Sequence, residues 1–146
     1  MRLVASSKRD VRTQFGALCY RIHDGRVEIL LITSRKRGRW IIPKGWPMDG
    51  ETPAGAGATE AYEEAGAVGK LSNSVLGFYA YSKGHAGYRL PIVVAVFPLK
   101  VTKLLKDFPE KGQRRRKWVS LKKAAQMVGE PELRRMIKDF DPRILH

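Results

Sequence analysis

The chain reads as an α/β protein, a mixed central sheet covered by helices on both faces, and three observations predict it. Runs of strand length rich in β-branched and aromatic residues recur before and after a central helical segment. Two further helical segments close the sequence. The 146 residues, 43% of them hydrophobic, suit one domain, with no linker, repeat or low-complexity tract to mark a second.

Taken in order, residues 1–12 carry Arg2, Lys8, Arg9 and Arg12 without an apolar core and read as a flexible basic arm. The domain is expected to occupy 13–146. Gln14 to Ile22 and Val27 to Thr33 are strand-like. Arg35-Lys36-Arg37-Gly38-Arg39 then reads as a loop leading to the short segment Trp40-Ile41-Ile42-Pro43. Thr52 is placed to cap a helix, with Pro53 at its first position and Gly66 suited to a left-handed stop. Val75 to Ser82 and Leu90 to Val101 are the next strands, with Pro91 and Pro98 suited to strand ends. Lys117 to Ser120 is a short strand, and Ser120 caps a helix over Leu121 to Val128. A last helix over Pro131 to Phe140 carries Leu133, Met136, Ile137 and Phe140 on one stripe, and Asp141-Pro142 stops it.

The central helix holds the most informative residues. In Thr59-Glu60-Ala61-Tyr62-Glu63-Glu64-Ala65-Gly66, three glutamates stand at i, i+3 and i+4, which stacks their carboxylates on one face. Like charges so placed repel, and a hard divalent cation is the natural partner; a solvated acidic face is the other reading. Ala54, Ala58, Ala61 and Ala65 form a second, small-residue face able to lie against a sheet. Gly55 and Gly57 each weaken the helix by about 1 kcal/mol relative to Ala, so packing must hold it.

Gly45, Glu51, Glu60, Glu63, Glu64 and Gly66 fall in register on the pattern G-x5-E-x7-R-E-U-x-E-E-x-G-U, where U is aliphatic and Ala61 and Ala67 take the U positions. That pattern is the Nudix box, and the chain resembles this family from about Gln14 to Phe140. The resemblance implies an α/β/α sandwich and hydrolysis of a diphosphate linkage with Mg2+, or Mn2+, as cofactor. It implies Glu60, Glu63 and Glu64 as metal ligands and catalytic residues, the Gly45 carbonyl as a further ligand, and Glu60 as the base. One position departs: Thr59 stands where the family carries Arg, which resembles a brace for the carboxylates. A basic side chain from the Arg35 to Arg39 loop is the expected stand-in.

Charge narrows the substrate. With 28 Lys+Arg against 14 Asp+Glu the net charge is +14, which concentrates polyanions around the molecule. Arg35, Arg37, Arg39 and Lys44, next to the box, are expected to grip phosphates, as is Arg89 in the loop with His85 and Tyr88. The run Lys111 to Lys117, with Arg115, enters the last strand at Trp118. Together with Gly16-Ala17-Leu18-Cys19-Tyr20-Arg21 and Trp40-Ile41-Ile42-Pro43 it is similar to the diphosphoinositol and diadenosine polyphosphate hydrolase branch. Arg21 and Arg115 join the expected phosphate contacts on that resemblance. Glu110 is a possible further ligand or base. Trp40 reads as core and Trp46 as a cover, with base stacking the alternative.

A metal-dependent pyrophosphohydrolase acting on a dinucleoside or diphosphoinositol polyphosphate is therefore expected. Pyrophosphate removal from an RNA 5′ end, and a low-activity module that binds RNA or nucleotides, are the alternatives, the latter because of Thr59. No run approaches membrane-spanning length, and no membrane partner is expected. Cys19, the single cysteine, reads as a small buried hydrophobe; one cysteine allows no internal disulfide, and a cytoplasmic setting is expected. Monomer and homodimer both stay open.

Overall fold

The computed structural model describes residues 12–85 and 87–145; of the expected arm only Arg12 falls within them. Strand β1 (Arg12–His23) turns through Asp24 and Gly25, both at positive φ, into β2 (Arg26–Thr33). Short strands β3 (Trp40–Ile41) and β4 (Lys44–Gly45) precede helix α1 (Pro53–Ala65). Next come β5 (Ala67–Leu71), β6 (Gly77–His85), β7 (Tyr88–Leu104) and β8 (Arg116–Ser120). Helices α2 (Leu121–Met127) and α3 (Pro131–Lys138) and a 3-10 turn at Pro142–Ile144 complete the described chain.

All eight strands join one mixed sheet, in which β1 and β7 pair in parallel at the centre and the other pairings are antiparallel. The two-residue period of the strands decides which face each side chain enters. Leu18, Tyr20, Ile29, Leu31, Ile92, Val94 and Val96 pack beneath α2 and α3 with Leu133, Ile137 and Phe140. The alternate residues Ala17, Cys19, Leu30, Ile32 and Leu99 face α1 through Ala61 and Ala65. With both faces covered, the sheet is the filling of an α/β/α sandwich. Among the described residues no helix is long and apolar enough to cross a membrane.

Helix α1 can approach the sheet closely because its packing side is made of small residues. A Cβ on Gly57 would come within 2.8 Å of the Gly16 carbonyl oxygen in β1. Besides Glu64, the buried residues of the helix are Ala54, Ala56, Gly57, Ala61 and Ala65, so Ala56 and Gly57 take the place expected for Ala58. The two helix ends are closed as the sequence predicts: the Thr52 hydroxyl accepts from Gly55 N–H at 3.0 Å, and Gly66 adopts φ 65°.

Strand β7 corrects one expectation. It continues through Pro98 to Leu104. Pro98 lies where the neighbour of β7 changes from β6, ending at the Gly77–Val96 pair, to β5, starting at Leu71–Leu99. Its carbonyl accepts from Ser72 N–H at 3.2 Å on that same side, so the missing proline N–H falls in the gap between the two partners. Strand β5 itself, interrupted by Gly69, was not foreseen.

Candidate active site

The box is assembled from two elements that meet at one point. Lys44 and Gly45 pair with Gly16 and Phe15 of β1, which pins them beside the C-terminal half of α1. There the Glu60 carboxylate lies against the Cα of Gly45 so closely that any Cβ would collide with it. Lys44 N–H donates to Glu64 Oε1 at 3.2 Å, and the hydroxyl of Tyr81 donates to Gln14 Oε1 at 2.7 Å across the same cleft. The cleft, of about 440 Å³, is lined by Glu60, Glu64 and Glu110 together with Lys44, Lys83, Arg35 and Arg114, and by Gly45, Trp46 and Tyr81.

Opposed charges meet there under partial burial. Burial pushes the Glu60 carboxyl up to about 8, and Glu64, Glu63 and Glu110 push the same way. Glu64 is also raised by burial, against the pull of Arg114 and Lys44. The two carboxyls act on each other, Glu64 pushing Glu60 up. Burial lowers the Lys44 ammonium, while Glu64 and Glu130 oppose that.

Arg114 is the buried cation of the site, its side chain 8% exposed. Its Nε donates to Glu110 Oε1 at 3.1 Å, its Nη1 to the Thr33 carbonyl at 3.1 Å, and its Nη2 faces Glu64 Oε2 at 3.5 Å. Thr59 takes no part, because its hydroxyl donates to the Gly55 carbonyl at 3.0 Å along the helix. The basic side chain that pairs with a box carboxylate is thus one from the stretch before β8, whereas Arg35 of the expected loop engages Gln113. Basic composition marks that stretch, but nothing in its spacing says which of four adjacent cations turns inward.

The other expected residues divide. Gly45, Glu60, Glu64, Lys44 and Arg35 line the cleft, with Arg35 Nη1 donating to Gln113 Oε1 at 3.3 Å. Glu63 is half-buried beside it, and its carbonyl accepts from Glu110 N–H at 3.0 Å. Arg21, Arg37, Arg39, Arg89 and Arg115 do not line it. Arg21 pairs with Glu28 at 2.7 Å and lies 4.3 Å from the Trp118 ring centre, Arg115 covers Trp40 at 5.1 Å, and Arg89 Nη2 donates to the Ser82 carbonyl at 2.8 Å. The side chains of His85 and Tyr88 lie outside the described residues. Lys83, Gln14 and Tyr81 enter the cleft from β6 and β1 without a motif to announce them.

These donors suit a hard divalent ion. They are oxygens, they crowd together in one cleft over Gly45, and their repulsion is what a cation would relieve. Among the described residues no three such groups are already gathered into a complete cage, and Glu63 lies beside the cleft without lining it.

A NUDIX domain model matches residues 12–140. The chain belongs to the Nudix family. Nudix hydrolase 12, mitochondrial, of Arabidopsis thaliana is 32% identical over 126 residues, covering 79% of this chain and 59% of the relative. Diphosphoinositol polyphosphate phosphohydrolase 2 of Rattus norvegicus is 33% identical over 113 residues, covering 76% and 59%. The chain thus spans about three fifths of the length of these curated Nudix relatives. An Ap4A hydrolase binary complex from C. elegans superposes with a TM-score of 0.64 at 21% identity, covering 87% of this chain and 93% of that one, which supports the Nudix sandwich fold.

Proposed function

We propose that this Nudix protein is a metal-dependent pyrophosphohydrolase that cleaves a phosphoanhydride bond in a small, highly phosphorylated substrate. The observation that carries the reading is the meeting, over Gly45, of Glu60, Glu64 and Glu110 with Lys44, Lys83 and Arg35 in one cleft. Carboxylates alone would repel a polyphosphate, and cations alone would bind it without activating water.

Glu60, Glu63, Glu64 and the Gly45 carbonyl would hold Mg2+ or Mn2+, which when bound neutralises phosphate charge and makes water a better nucleophile. Lys44, Lys83 and Arg35 bind and orient the phosphate chain. Glu60 accepts the proton of the attacking water as its oxygen bonds to phosphorus and the P–O bond of the anhydride breaks. Dinucleoside and diphosphoinositol polyphosphates are the proposed substrates, supported by the names of the rat and nematode proteins above. A cytoplasmic setting belongs to the same proposal, supported by one cysteine that is buried.

RNA is the second reading, favoured by the +14 charge and by exposed Arg37 and Arg39 beyond the cleft. Phosphate release from dinucleoside polyphosphates, inositol pyrophosphates and 5′-triphosphorylated RNA, with Mg2+ and with EDTA, tests both. Turnover on a small polyphosphate that EDTA abolishes is expected. RNA binding that persists in EDTA, with no turnover on any substrate, would replace the enzyme by a binding module.

A further inference from the structure

Four cations line the cleft with its acids, and they differ in what else they do: the Lys83 ammonium lies 5.8 Å from the Trp46 ring centre. Lys44 contacts Glu64 through its backbone N–H, while its ammonium lies 5.0 Å from the Tyr81 ring centre. Arg35 is exposed and engaged with Gln113. Only Arg114, among the described residues, ion-pairs with two acids of the cleft, and it is nearly as buried as Glu64, at 8% and 9% exposure.

Its surroundings fix it from three elements. The guanidinium joins the Thr33 carbonyl at the end of β2, Glu110 in the loop before β8, and Glu64 on α1. Glu110 is itself tied to α1, its N–H donating to the Glu63 carbonyl at 3.0 Å, and the neighbouring Arg116 donates to the Ala65 carbonyl at 2.7 Å. Residue 59 sends its hydroxyl back along the helix to the Gly55 carbonyl, at 3.0 Å. A planar fork suits this place, since it can serve two acids and a carbonyl at once.

On the metal-dependent reading above, we infer that Arg114 is a positioning residue, the built-in counter-charge that holds Glu64 and Glu110 in place in the metal-free protein, a task that Thr59 on the helix cannot perform. A buried carboxylate that loses its partner is costly to keep charged, so removing this guanidinium leaves the acids dependent on a cation from solution. An added divalent ion then does part of the work that Arg114 did.

Thermal unfolding of the full chain in EDTA and in saturating Mg2+ or Mn2+ reads this without turnover. Arg114→Gln keeps a donor for Thr33 but loses the charge, whereas Arg114→Lys keeps the charge. In Arg114→Gln the metal-free Tm is expected to fall and the rise on adding metal to be about twice that of the wild type, by linkage between ion binding and folding. Arg114→Lys should stay near the wild-type rise. An equal metal-induced rise in Arg114→Gln and wild type, with only KM for the polyphosphate changed, would make Arg114 a substrate contact and overturn the inference. So would an Arg114→Lys protein that behaves like Arg114→Gln. If the wild type gains nothing from either ion, the metal reading itself fails. Arg114 is then judged in EDTA alone: non-additive losses for Arg114→Gln and Glu110→Gln keep the counter-charge role, and additive losses end it.

Discussion

Glu60 stands where packing and charge pull in opposite directions. Gly45 leaves room for its carboxylate, yet burial and three neighbouring acids make that carboxylate expensive to ionise. Glu60→Gln is expected to lower kcat by about 10²–10⁴-fold, the usual range for a lost general base, while raising the Tm in EDTA because one crowding acid is gone. An unchanged kcat would remove Glu60 from the chemistry. Trp46 offers a second residue-level test. It is 40% exposed, lines the cleft and has the Lys83 ammonium 5.8 Å from its ring centre, whereas Trp40 is covered by Arg115 and packs on the core. If a nucleobase stacks on Trp46, Trp46→Ala raises KM for a dinucleoside polyphosphate by about 5–150-fold, the equivalent of about 1–3 kcal/mol, and leaves KM for an inositol pyrophosphate within about twofold. Equal losses on both substrates would exclude base stacking.

At the scale of elements, α1 is a weak helix held from outside. Two internal glycines cost it propensity, and the Thr52 cap, the close seat on β1 and the contacts of its last turn to the loop before β8 make up the difference. Thr52→Ala is expected to lower stability by about 1 kcal/mol in chemical denaturation, with the denaturant slope unchanged. A neutral result would mean that packing alone fixes the helix start. The same helix shows what was legible in the sequence. Its caps and the i, i+3, i+4 acids are local signals; of the three acids set on one face, Glu60 and Glu64 line the cleft and Glu63 lies beside it. Strand β5 was missed because Gly69 breaks its apolar run, the bulge at Val68/Gly69 being a matter of pairing with β7. Pro98 misled for a similar reason, since its tolerance depends on a gap between two partner strands. Arg114 stayed hidden among like residues because inward direction in a loop is set by tertiary contacts with Thr33, Glu64 and Glu110.

For the whole molecule, the charge works at longer range than the cleft. A net +14 surrounds a site whose own acids are partly neutralised from within, so an approaching polyphosphate meets attraction before it meets any carboxylate. Encounter should therefore be screened by salt, while the chemical step, sheltered beside Tyr81 and Gln14, should not be. Raising NaCl from about 0.05 to 0.3 M, which shortens the Debye length from about 14 to 6 Å, is expected to lower kcat/KM several-fold at fixed Mg2+ and to leave kcat within about twofold. The same titration on Arg37→Ala and Arg39→Ala, exposed and outside the cleft, should show a shallower slope with the same high-salt limit. Were kcat to fall in step with kcat/KM, salt would be reaching the site itself, and the separation between a long-range basic field and a locally balanced cleft would be wrong.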